Sequence, residues 1–360
     1  MRIAILTPSI TSGDAVSNDV LGMYEALHEI GNVRIFAEGW TLTQPRVFPA
    51  YKIKSFLKSS NDILIYHFSR GWEPALELLS TLRCRKVIKY HNITPPEFLA
   101  KYNHYFAGVC QEGREQIKPI ARSTCDLFLS DSAYNMRELV SAGAPESQSL
   151  VVAPFHHIDR LHAIDSNAEH PSESPRGCVS ICSVGRVAPN KGHLALIQAF
   201  AAYYHDYNRG SRLTIVGKEE TRLGKYSRVL RELMKRLEVE SAVSFAGEVS
   251  DTELKAYYDG AHVFVTTSEH EGFCVPLIEA MAMRIPIVAY ASSAIPETVG
   301  PTGIVWDERN PYLIAESINS IVSDDALGDG LRELGWQRYQ QHFTNSQIRK
   351  TFLRAMKPVL

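Results

Sequence analysis

The sequence lacks a long apolar run. No segment of its 360 residues reaches roughly 18 consecutive apolar residues, the length at which a helix spans a membrane. The apolar start, Met1 to Thr7, is too short for a signal peptide and is typical of a buried strand. We therefore expect a cytoplasmic protein.

Cysteine is also scarce. Two of the six cysteines share one predicted strand and do not have the spacing of a metal knuckle. The pattern favours a reducing compartment over a disulfide framework. The cysteines are Cys84, Cys110, Cys125, Cys178, Cys182 and Cys274.

The chain has no strong charge of either sign. With 38 Lys and Arg, 40 Asp and Glu, and a formal net charge of -2, it gives no sign of nucleic-acid binding. One stretch, Arg46 to Arg122, is basic, with 13 Lys and Arg against 6 Asp and Glu. Inside it Lys52, Lys54 and Lys58 interleave with Ile53, Phe56 and Leu57. This pattern fits peripheral contact with an anionic membrane, but a solvated surface with a core-facing stripe is the favoured interpretation.

A pair of carboxylates stands at one predicted corner of the fold. The apolar strand from Ala261 to Thr267 leads through Glu271 into a helix that we expect to begin near Pro276, because proline suits a first helical turn. Glu279 then lies about one turn inside this helix. Helix starts favour negative charge, so capping alone explains such glutamates; hydroxyl groups of a sugar nucleotide are the alternative partner.

A cationic loop lies earlier in the same half. The apolar strand from Cys178 to Val184 is followed by Gly185, Arg186, Lys191 and Gly192, and then by a predicted helix from His193 to about Tyr204. Glycines let the backbone approach an anion, and the helix start and the two cations favour a diphosphate. The order of a Walker loop is absent, and a surface loop with two solvated cations is the alternative interpretation.

Both loops follow strands, and parallel sheets bind ligands at the carboxyl ends of their strands. One loop offers cations to a diphosphate, and the other offers carboxylates to hydroxyl groups. A sugar nucleotide needs both. No Asp-x-Asp motif stands near these loops, so we expect no metal and no other cofactor.

The second half of the chain resembles retaining glycosyltransferases of the GT-B fold, glycosyltransferase family 4. The resemblance rests on an ordered set of motifs between residue 178 and about residue 340. They are Ser183-Val184-Gly185-Arg186 with Lys191-Gly192, Phe245-Ala246-Gly247-Glu248-Val249, Tyr257-Tyr258, Ser268 to Phe273, Pro276 to Ala282, Pro286-Ile287-Val288-Ala289 and Ile295 to Gly300.

The resemblance implies an α/β chain of two Rossmann-like domains that face each other across a cleft. The domains would be an acceptor-side domain at 1–160 and a sugar-nucleotide domain at 178–340, joined by a linker at 161–177. A final segment at 341–360 would cross back to the first domain as a helix, which the sequence favours from Asn345 to about Met356. The sequence itself predicts six strands in each domain.

Site roles follow from the resemblance. Catalysis would fall to His91, Arg186, Lys191 and Glu271, with the two cations on the leaving diphosphate and Glu271 on sugar hydroxyl groups. Glu279 would hold the ribose, and the anomeric centre would be retained. The full set predicted to bind the sugar donor is Gly13, Gly185, Arg186, Lys191, Glu271, Gly272, Phe273, Cys274, Val275 and Glu279.

Two loops of the first domain complete the predicted site. After the first strand, Gly13 is followed by Asp14, where the family often has a glycine pair. Two roles are open for Asp14: it binds an acceptor hydroxyl, or it caps a turn or helix. After the fourth strand, His91 and Asn92 are predicted to lie on the acceptor side, stiffened by two prolines. His67 is a weaker candidate that we place either in the core or on the cleft wall.

Two residues depart from the family pattern. Cys274 and Arg284 stand where glycine is frequent, so the first narrows sugar choice and the second leaves a helix without its glycine cap. The charged groups needed for binding are present. The resemblance therefore implies hexosyl transfer to a saccharide or lipid-linked saccharide in surface polysaccharide or lipopolysaccharide synthesis. The stretch from Tyr90 to Pro96 is similar to members that transfer mannose or a related hexose. A sugar-nucleotide epimerase and a non-catalytic sugar-nucleotide-binding subunit stay open as alternatives.

Overall fold

The computed structural model describes residues 1–164 and 178–360. Most of the predicted linker, residues 165–177, therefore lies outside the described residues. Contacts divide the chain into two units. The first contains Met1–Pro96, Tyr105–His157 and Phe343–Leu360, and the second contains Glu97–His104 and Ile158–His342. The short segment Glu97–His104, which the sequence places in the first domain, thus packs with the second unit.

The first unit is built on a parallel sheet whose seven described strands run in the order β3-β2-β1-β4-β5-β6-β7. The edge strand β3 was not predicted, because it has three residues and ends in a proline, which only an edge position tolerates. The other six strands are confirmed. The strands are β1 (Arg2–Ile10), β2 (Asn32–Trp40), β3 (Val47–Pro49), β4 (Ile63–Phe68), β5 (Arg85–Tyr90), β6 (Leu127–Ser130) and β7 (Ser149–Val151).

The helices before residue 150 alternate with these strands, as right-handed parallel crossovers require. Ser132 caps the last of them as predicted, because its hydroxyl accepts a hydrogen bond from the backbone N–H of Asn135. The helices are α1 (Ala15–Leu27), α2 (Ile53–Phe56), α3 (Glu73–Thr81), α4 (Glu97–Ala100, in the second unit), α5 (His104–Ala121) and α6 (Ala133–Ala142).

The second unit contains a parallel sheet of six described strands in the order β10-β9-β8-β11-β12-β13. All six were predicted, so the expectation of two parallel-sheet Rossmann-like units is confirmed. The strands are β8 (Ser180–Val184), β9 (Arg212–Val216), β10 (Val243–Gly247), β11 (Val263–Thr266), β12 (Ile287–Tyr290) and β13 (Gly303–Trp306).

The remaining helices belong to the second unit, apart from the last one. They are α7 (Ile158–His162), α8 (His193–Asp206), α9 (Gly224–Arg236), α10 (Asp251–Asp259), α11 (Val275–Ala282), α12 (Ile295–Val299), α13 (Pro311–Ser323), α14 (Asp325–Arg338) and α15 (Asn345–Met356). Helix α15 packs in the first unit, where Ile348, Phe352 and Met356 join one hydrophobic cluster with Ile3 and Ile5 of β1. The neighbouring β1 residues point to a second cluster on the opposite face of the sheet.

The basic segment around α2 has its apolar residues in the core. Ile53 is fully buried, and Phe56 and Leu57 are each 6% exposed. This arrangement favours the solvated surface over a membrane-binding face. Among the described residues, no helix has both the length and the hydropathy needed to cross a bilayer.

We expect Phe352→Ala to lower the free energy of unfolding by about 3–5 kcal/mol, because it removes a fully buried ring from the first unit's core. The matched control on the same helix is Arg349→Ala, whose side chain is 43% exposed and pairs with exposed Glu29. The control should change the free energy by less than about 1 kcal/mol. Urea denaturation measures both; equal losses would show that α15 is not anchored by this ring.

Candidate active site

Two loops leave the same edge of the second sheet. They follow β8 and β11, which are paired as parallel neighbours. The first loop passes through Gly185 and a 3₁₀ turn, Pro189–Lys191, before α8 begins. The second passes through Glu271 to α11, whose first residue is Val275. The carboxyl ends of neighbouring parallel strands therefore bring the predicted cationic and acidic loops together.

Hydrogen bonds lock the two loops to each other. The Thr267 hydroxyl donates to the Gly192 carbonyl over 2.9 Å, and the backbone N–H of Glu269 donates to the Asn190 carbonyl over 2.8 Å. Gly192 has a φ of 68°, and a Cβ there would lie 2.0 Å from the Thr267 carbonyl oxygen. Only glycine therefore permits this approach of the loops.

Lys191 and Glu271 meet where the loops touch. The Lys191 Nζ lies 2.6 Å from the Glu271 Oε1, and their side chains are 18% and 9% exposed. A charge-assisted hydrogen bond of this length in a partly desolvated place is stronger than one at the surface. The cation predicted for a diphosphate and the carboxylate predicted for hydroxyl groups thus occupy one site.

A third loop, after β12, forms hydrogen bonds to the backbone of Glu271 and Ser268. The backbone N–H of Glu271 donates to the Ser293 hydroxyl over 2.7 Å, and the Ser292 hydroxyl donates to the Ser268 carbonyl over 2.6 Å. Sequence reasoning did not identify these serines. Their signal was a polar pair that begins two residues after the last residue of an apolar strand of the same sheet.

Glu279 lies deeper, on α11. It is 3% exposed, and its Oε2 accepts a 2.6 Å hydrogen bond from the Tyr258 hydroxyl. Burial raises the pKa of Tyr258 well above its usual value, and the nearby Glu279 carboxylate raises it further, so the phenol stays a donor. The tyrosine fixes the orientation of the carboxylate; its predicted contact with a ribose stays a prediction.

Arg186 is exposed on the first loop. Backbone hydrogen bonds pin the chain on both sides of it, from Gly185 N–H to the Val216 carbonyl over 2.8 Å and from Val187 N–H to the Lys218 carbonyl over 2.9 Å. Within the described ranges its guanidinium has no hydrogen-bond or ion-pair partner. The backbone is therefore held in place, and the charge is available to an anion.

The turn into α11 contains the predicted residues Gly272, Phe273, Cys274 and Val275. Cys274 is left-handed, with a φ of 73°, a conformation that glycine adopts at lower cost. Burial raises the pKa of its thiol well above the usual value, with a further contribution from Glu271, so the thiol is neutral. Arg284 also has a positive φ, 55°, as its place at a usual glycine position predicts.

The first predicted loop of the other unit contains Gly13 and Asp14. Gly13 has a φ of 77°, and Asp14 is the N-cap of α1. The Asp14 Oδ2 accepts hydrogen bonds from the backbone N–H and the hydroxyl of Ser17, over 3.1 and 2.9 Å. The predicted helix cap is therefore present, and the predicted contact of Asp14 with an acceptor hydroxyl stays a prediction.

His91 lies inside a buried polar cluster. Its Nδ1–H donates to the Asp131 Oδ2 over 2.9 Å, and its Nε2 lies 2.9 Å from the Nδ1 of His67. His67 is fully buried, which places it in the core, and burial lowers its pKa well below the usual value. Both ring nitrogens of His91 are thus engaged within the first unit, and its predicted contact with a substrate stays a prediction.

Asn92 is buried next to His91 and has a φ of 71°. Its side-chain amide donates to the Asn135 carbonyl oxygen over 2.8 Å. The same cluster includes Asp19, Lys89 and Asp131, which sequence reasoning missed. The signal for Lys89 was a lysine inside an apolar strand, where only a buried partner stabilises its charge.

Residues 167–337 match the family model described as glycosyl transferases group 1. Among curated relatives, the O-antigen chain mannosyltransferase B of Escherichia coli is 30% identical over 195 residues, which are 50% of this chain and 50% of that protein. The putative colanic acid biosynthesis glycosyltransferase WcaL of Salmonella typhimurium is 27% identical over 305 residues, 80% of this chain and 69% of that protein. The chain thus spans half of the first relative and somewhat more than two thirds of the second.

Similarity to solved structures extends over the whole fold. Anabaena Alr3699/HepE in complex with UDP-glucose matches 99% of this chain and 100% of its own, with a TM-score of 0.78 and 17% identity. At that identity the match establishes the fold alone.

We expect Cys274→Gly to stabilise the protein by about 1 kcal/mol relative to Cys274→Ala, because glycine removes the left-handed strain and alanine keeps it. Both variants lose the thiol, so the difference between their free energies of unfolding, measured by urea denaturation, reports the cost of the left-handed backbone. An alanine variant as stable as the glycine variant would contradict the assignment of strain to this residue.

Proposed function

We propose that this chain transfers a hexosyl group from a nucleoside diphosphate sugar to a hydroxyl group of a saccharide or lipid-linked saccharide, and the match of residues 167–337 to the glycosyl transferases group 1 model supports this proposal. The contact between Lys191 and Glu271 supports this proposal most directly. A sugar nucleotide carries an anionic diphosphate next to a ring of hydroxyl groups, and it needs a cation and a carboxylate within one small site.

The site changes partners when the donor binds. Without a ligand, Glu271 neutralises Lys191. A bound diphosphate offers Lys191 more negative charge than one carboxylate does, so the ammonium turns to the phosphate oxygens. Glu271 then accepts hydrogen bonds from the sugar hydroxyl groups. The ion pair keeps both side chains ordered and aimed at the sugar nucleotide before it arrives.

Arg186 and Lys191 stabilise the charge that grows on the leaving diphosphate. This stabilisation is larger in the transition state than in the ground state, which is the condition for faster chemistry. Because these two cations neutralise the diphosphate, the transfer needs no metal ion there. We assign no covalent nucleophile, and we propose retention through front-face displacement assisted by the leaving phosphate.

The remaining residues of the turn position the donor. The backbone N–H groups of Gly272 and Phe273 stand at the turn before α11, where N–H groups favour an anion or a hydroxyl oxygen. Glu279 holds the ribose, with its carboxylate oriented by Tyr258. Cys274 adds a small neutral side chain to the same turn and narrows the choice of sugar.

We propose mannose or a related hexose as the transferred sugar and surface polysaccharide or lipopolysaccharide as the destination. The similarity to an O-antigen mannosyltransferase and to a colanic acid glycosyltransferase supports this choice. A thermal-shift panel of UDP, GDP, ADP and TDP sugars, followed by transfer assays with saccharide acceptors, tests it. Stabilisation by none of these nucleotides would contradict the proposal.

We expect Lys191→Ala to weaken binding of the nucleoside diphosphate by about 10- to 100-fold, since it removes a charge-assisted hydrogen bond. Glu271→Gln should bind the same nucleotide at least as tightly as the wild type, because Lys191 loses its internal competitor, but it should lose sugar transfer. Isothermal titration measures binding, and release of nucleotide in the presence of acceptor measures transfer.

Lys235→Ala is the control, because Lys235 is 66% exposed and faces Glu240 across 3.8 Å at the surface. It should leave both readouts unchanged. Unchanged nucleotide affinity in Lys191→Ala, or normal transfer by Glu271→Gln, would overturn the assigned roles.

A further inference from the structure

One short segment of the chain packs with the second unit, although the residues on both sides of it belong to the first unit. This segment, Glu97–His104, contains α4, and we call it the strap. Pro95 and Pro96 lead into it and restrict the backbone there. Ordering the strap costs conformational entropy, which its contacts with the second unit must offset. The place of those contacts therefore indicates what the strap does.

The strap contacts both loops of the candidate active site. Helix α4 packs against the 3₁₀ turn Pro189–Lys191, which belongs to the cationic loop. The Phe98 ring on α4 lies next to the His270 ring, with 6.2 Å between the ring centroids. His270 directly precedes Glu271 on the acidic loop. One short helix thus touches the turn that ends in Lys191 and the residue that precedes Glu271.

Asn190 of the cationic loop fixes the backbone of His270. The Asn190 carbonyl accepts a 3.3 Å hydrogen bond from the His270 N–H, and the Asn190 side-chain amide donates a 3.3 Å hydrogen bond to the His270 carbonyl. Asn190 is 5% exposed and His270 is 7% exposed. Buried backbone groups are costly to leave unpaired, so this reciprocal pair holds the chain immediately before Glu271. His270 is therefore held through its backbone by Asn190 and through its ring by Phe98.

Aromatic and polar contacts anchor the far end of the strap. The Tyr102 ring meets the buried Tyr226 ring of α9 edge-on, with 5.1 Å between the centroids, an arrangement that aromatic pairs favour. Tyr226 in turn packs edge-on against His193, the first residue of α8, over 6.2 Å. The Asn103 side-chain amide donates a 2.8 Å hydrogen bond to the Arg222 carbonyl. The strap is thus attached at both ends, and one anchor reaches the helix that follows the cationic loop.

The exposure of two neighbouring strap residues separates anchoring from positioning. Leu99 is 7% exposed and supplies a buried apolar contact of α4. Phe98 is only partly buried. Truncation of Phe98 therefore removes the contact with the His270 ring and leaves the anchors at Leu99, Tyr102 and Asn103 in place.

We propose that the strap is a third component of the sugar-nucleotide site and that Phe98 and Asn190 are positioning residues. This inference rests on the proposed function, because the site that they position is the one assigned to the sugar nucleotide. Neither residue contacts the nucleotide in this role. They fix His270, and through it they set the place of the Glu271 carboxylate relative to Lys191. A misplacement of about 1 Å in such a group costs catalysis about 100-fold, which makes this support functional.

Support of this kind works in both directions. If the closed strap strengthens nucleotide binding by some factor, bound nucleotide disfavours opening of the strap by the same factor. The backbone N–H groups of Tyr102 and Asn103 report on opening, because both donate to the Leu99 carbonyl, over 2.9 and 2.8 Å. A saturating nucleoside diphosphate, the one that the wild type binds best among UDP, GDP, ADP and TDP, should slow amide exchange in residues 97–104 by about 5- to 10-fold.

Substitution of Phe98 tests the same coupling by affinity. Phe98→Ala should weaken binding of that nucleotide by about 5- to 10-fold, at an unchanged stoichiometry in isothermal titration. A loss of folded protein would instead lower the stoichiometry and leave the affinity of the remainder unchanged. Phe98→Leu keeps most of the apolar bulk next to His270 and should restore binding to within about 2-fold of the wild type. Asn190→Ala should weaken binding as Phe98→Ala does, because the His270 carbonyl loses its donor.

Glu97→Ala is the control, since Glu97 is exposed on the same short helix. It should change neither the affinity nor the amide exchange. Exchange in residues 97–104 that the nucleotide leaves unaltered, or a Phe98→Ala variant that binds the nucleotide like the wild type, would overturn the role of the strap while the proposed transfer stands. A wild-type chain that binds none of the four nucleotides would instead contradict the proposed function, and the role of the strap with it.

Discussion

The ion pair between Lys191 and Glu271 is the interaction on which the account of this site depends. Each residue lies on a loop after one of two adjacent parallel strands, and the pair closes the junction between these loops. It is partly desolvated, so water does not fully solvate either charge and each needs a partner. In the proposed function, a diphosphate sugar replaces that partner for both residues at once. The same contact therefore orders both side chains and, under the proposed function, explains why the site would select a sugar nucleotide.

Backbone geometry makes this contact possible. Gly192 lets the first loop approach the Thr267 carbonyl, and Cys274 accepts a left-handed conformation at the turn into α11. The strained conformation of this turn persists because hydrogen bonds to neighbouring residues fix its backbone. Here the Ser293 hydroxyl accepts a hydrogen bond from the backbone before Cys274, and the Thr298 hydroxyl donates one to it. Lys191 and Glu271 are thus held by loops that are tied to each other, as precise positioning of a substrate would require.

Much of this fold was predictable, because strands of parallel sheets are buried on both faces and read as apolar runs. Strand β4 is buried at every position and was predicted almost to its ends. The short edge strand β3 has no such run. In the site, the charged loops were predictable from their place after apolar strands, but the direct contact of Lys191 with Glu271 was not, since side-chain partners across loops leave no local pattern. For the same reason the burial of His91 against His67 and Asp131 escaped the sequence, although each of the three follows or ends a predicted strand.

The most direct test of the central contact is a double-mutant cycle with Lys191→Met and Glu271→Gln, measured by urea unfolding with and without saturating nucleoside diphosphate. In the free protein the account predicts a coupling energy of about 1–3 kcal/mol between the two substitutions. With the nucleotide bound, it predicts that most of this coupling disappears, because Lys191 has turned to the phosphates. Additive effects in the free protein, or a coupling that the nucleotide leaves unchanged, would contradict it.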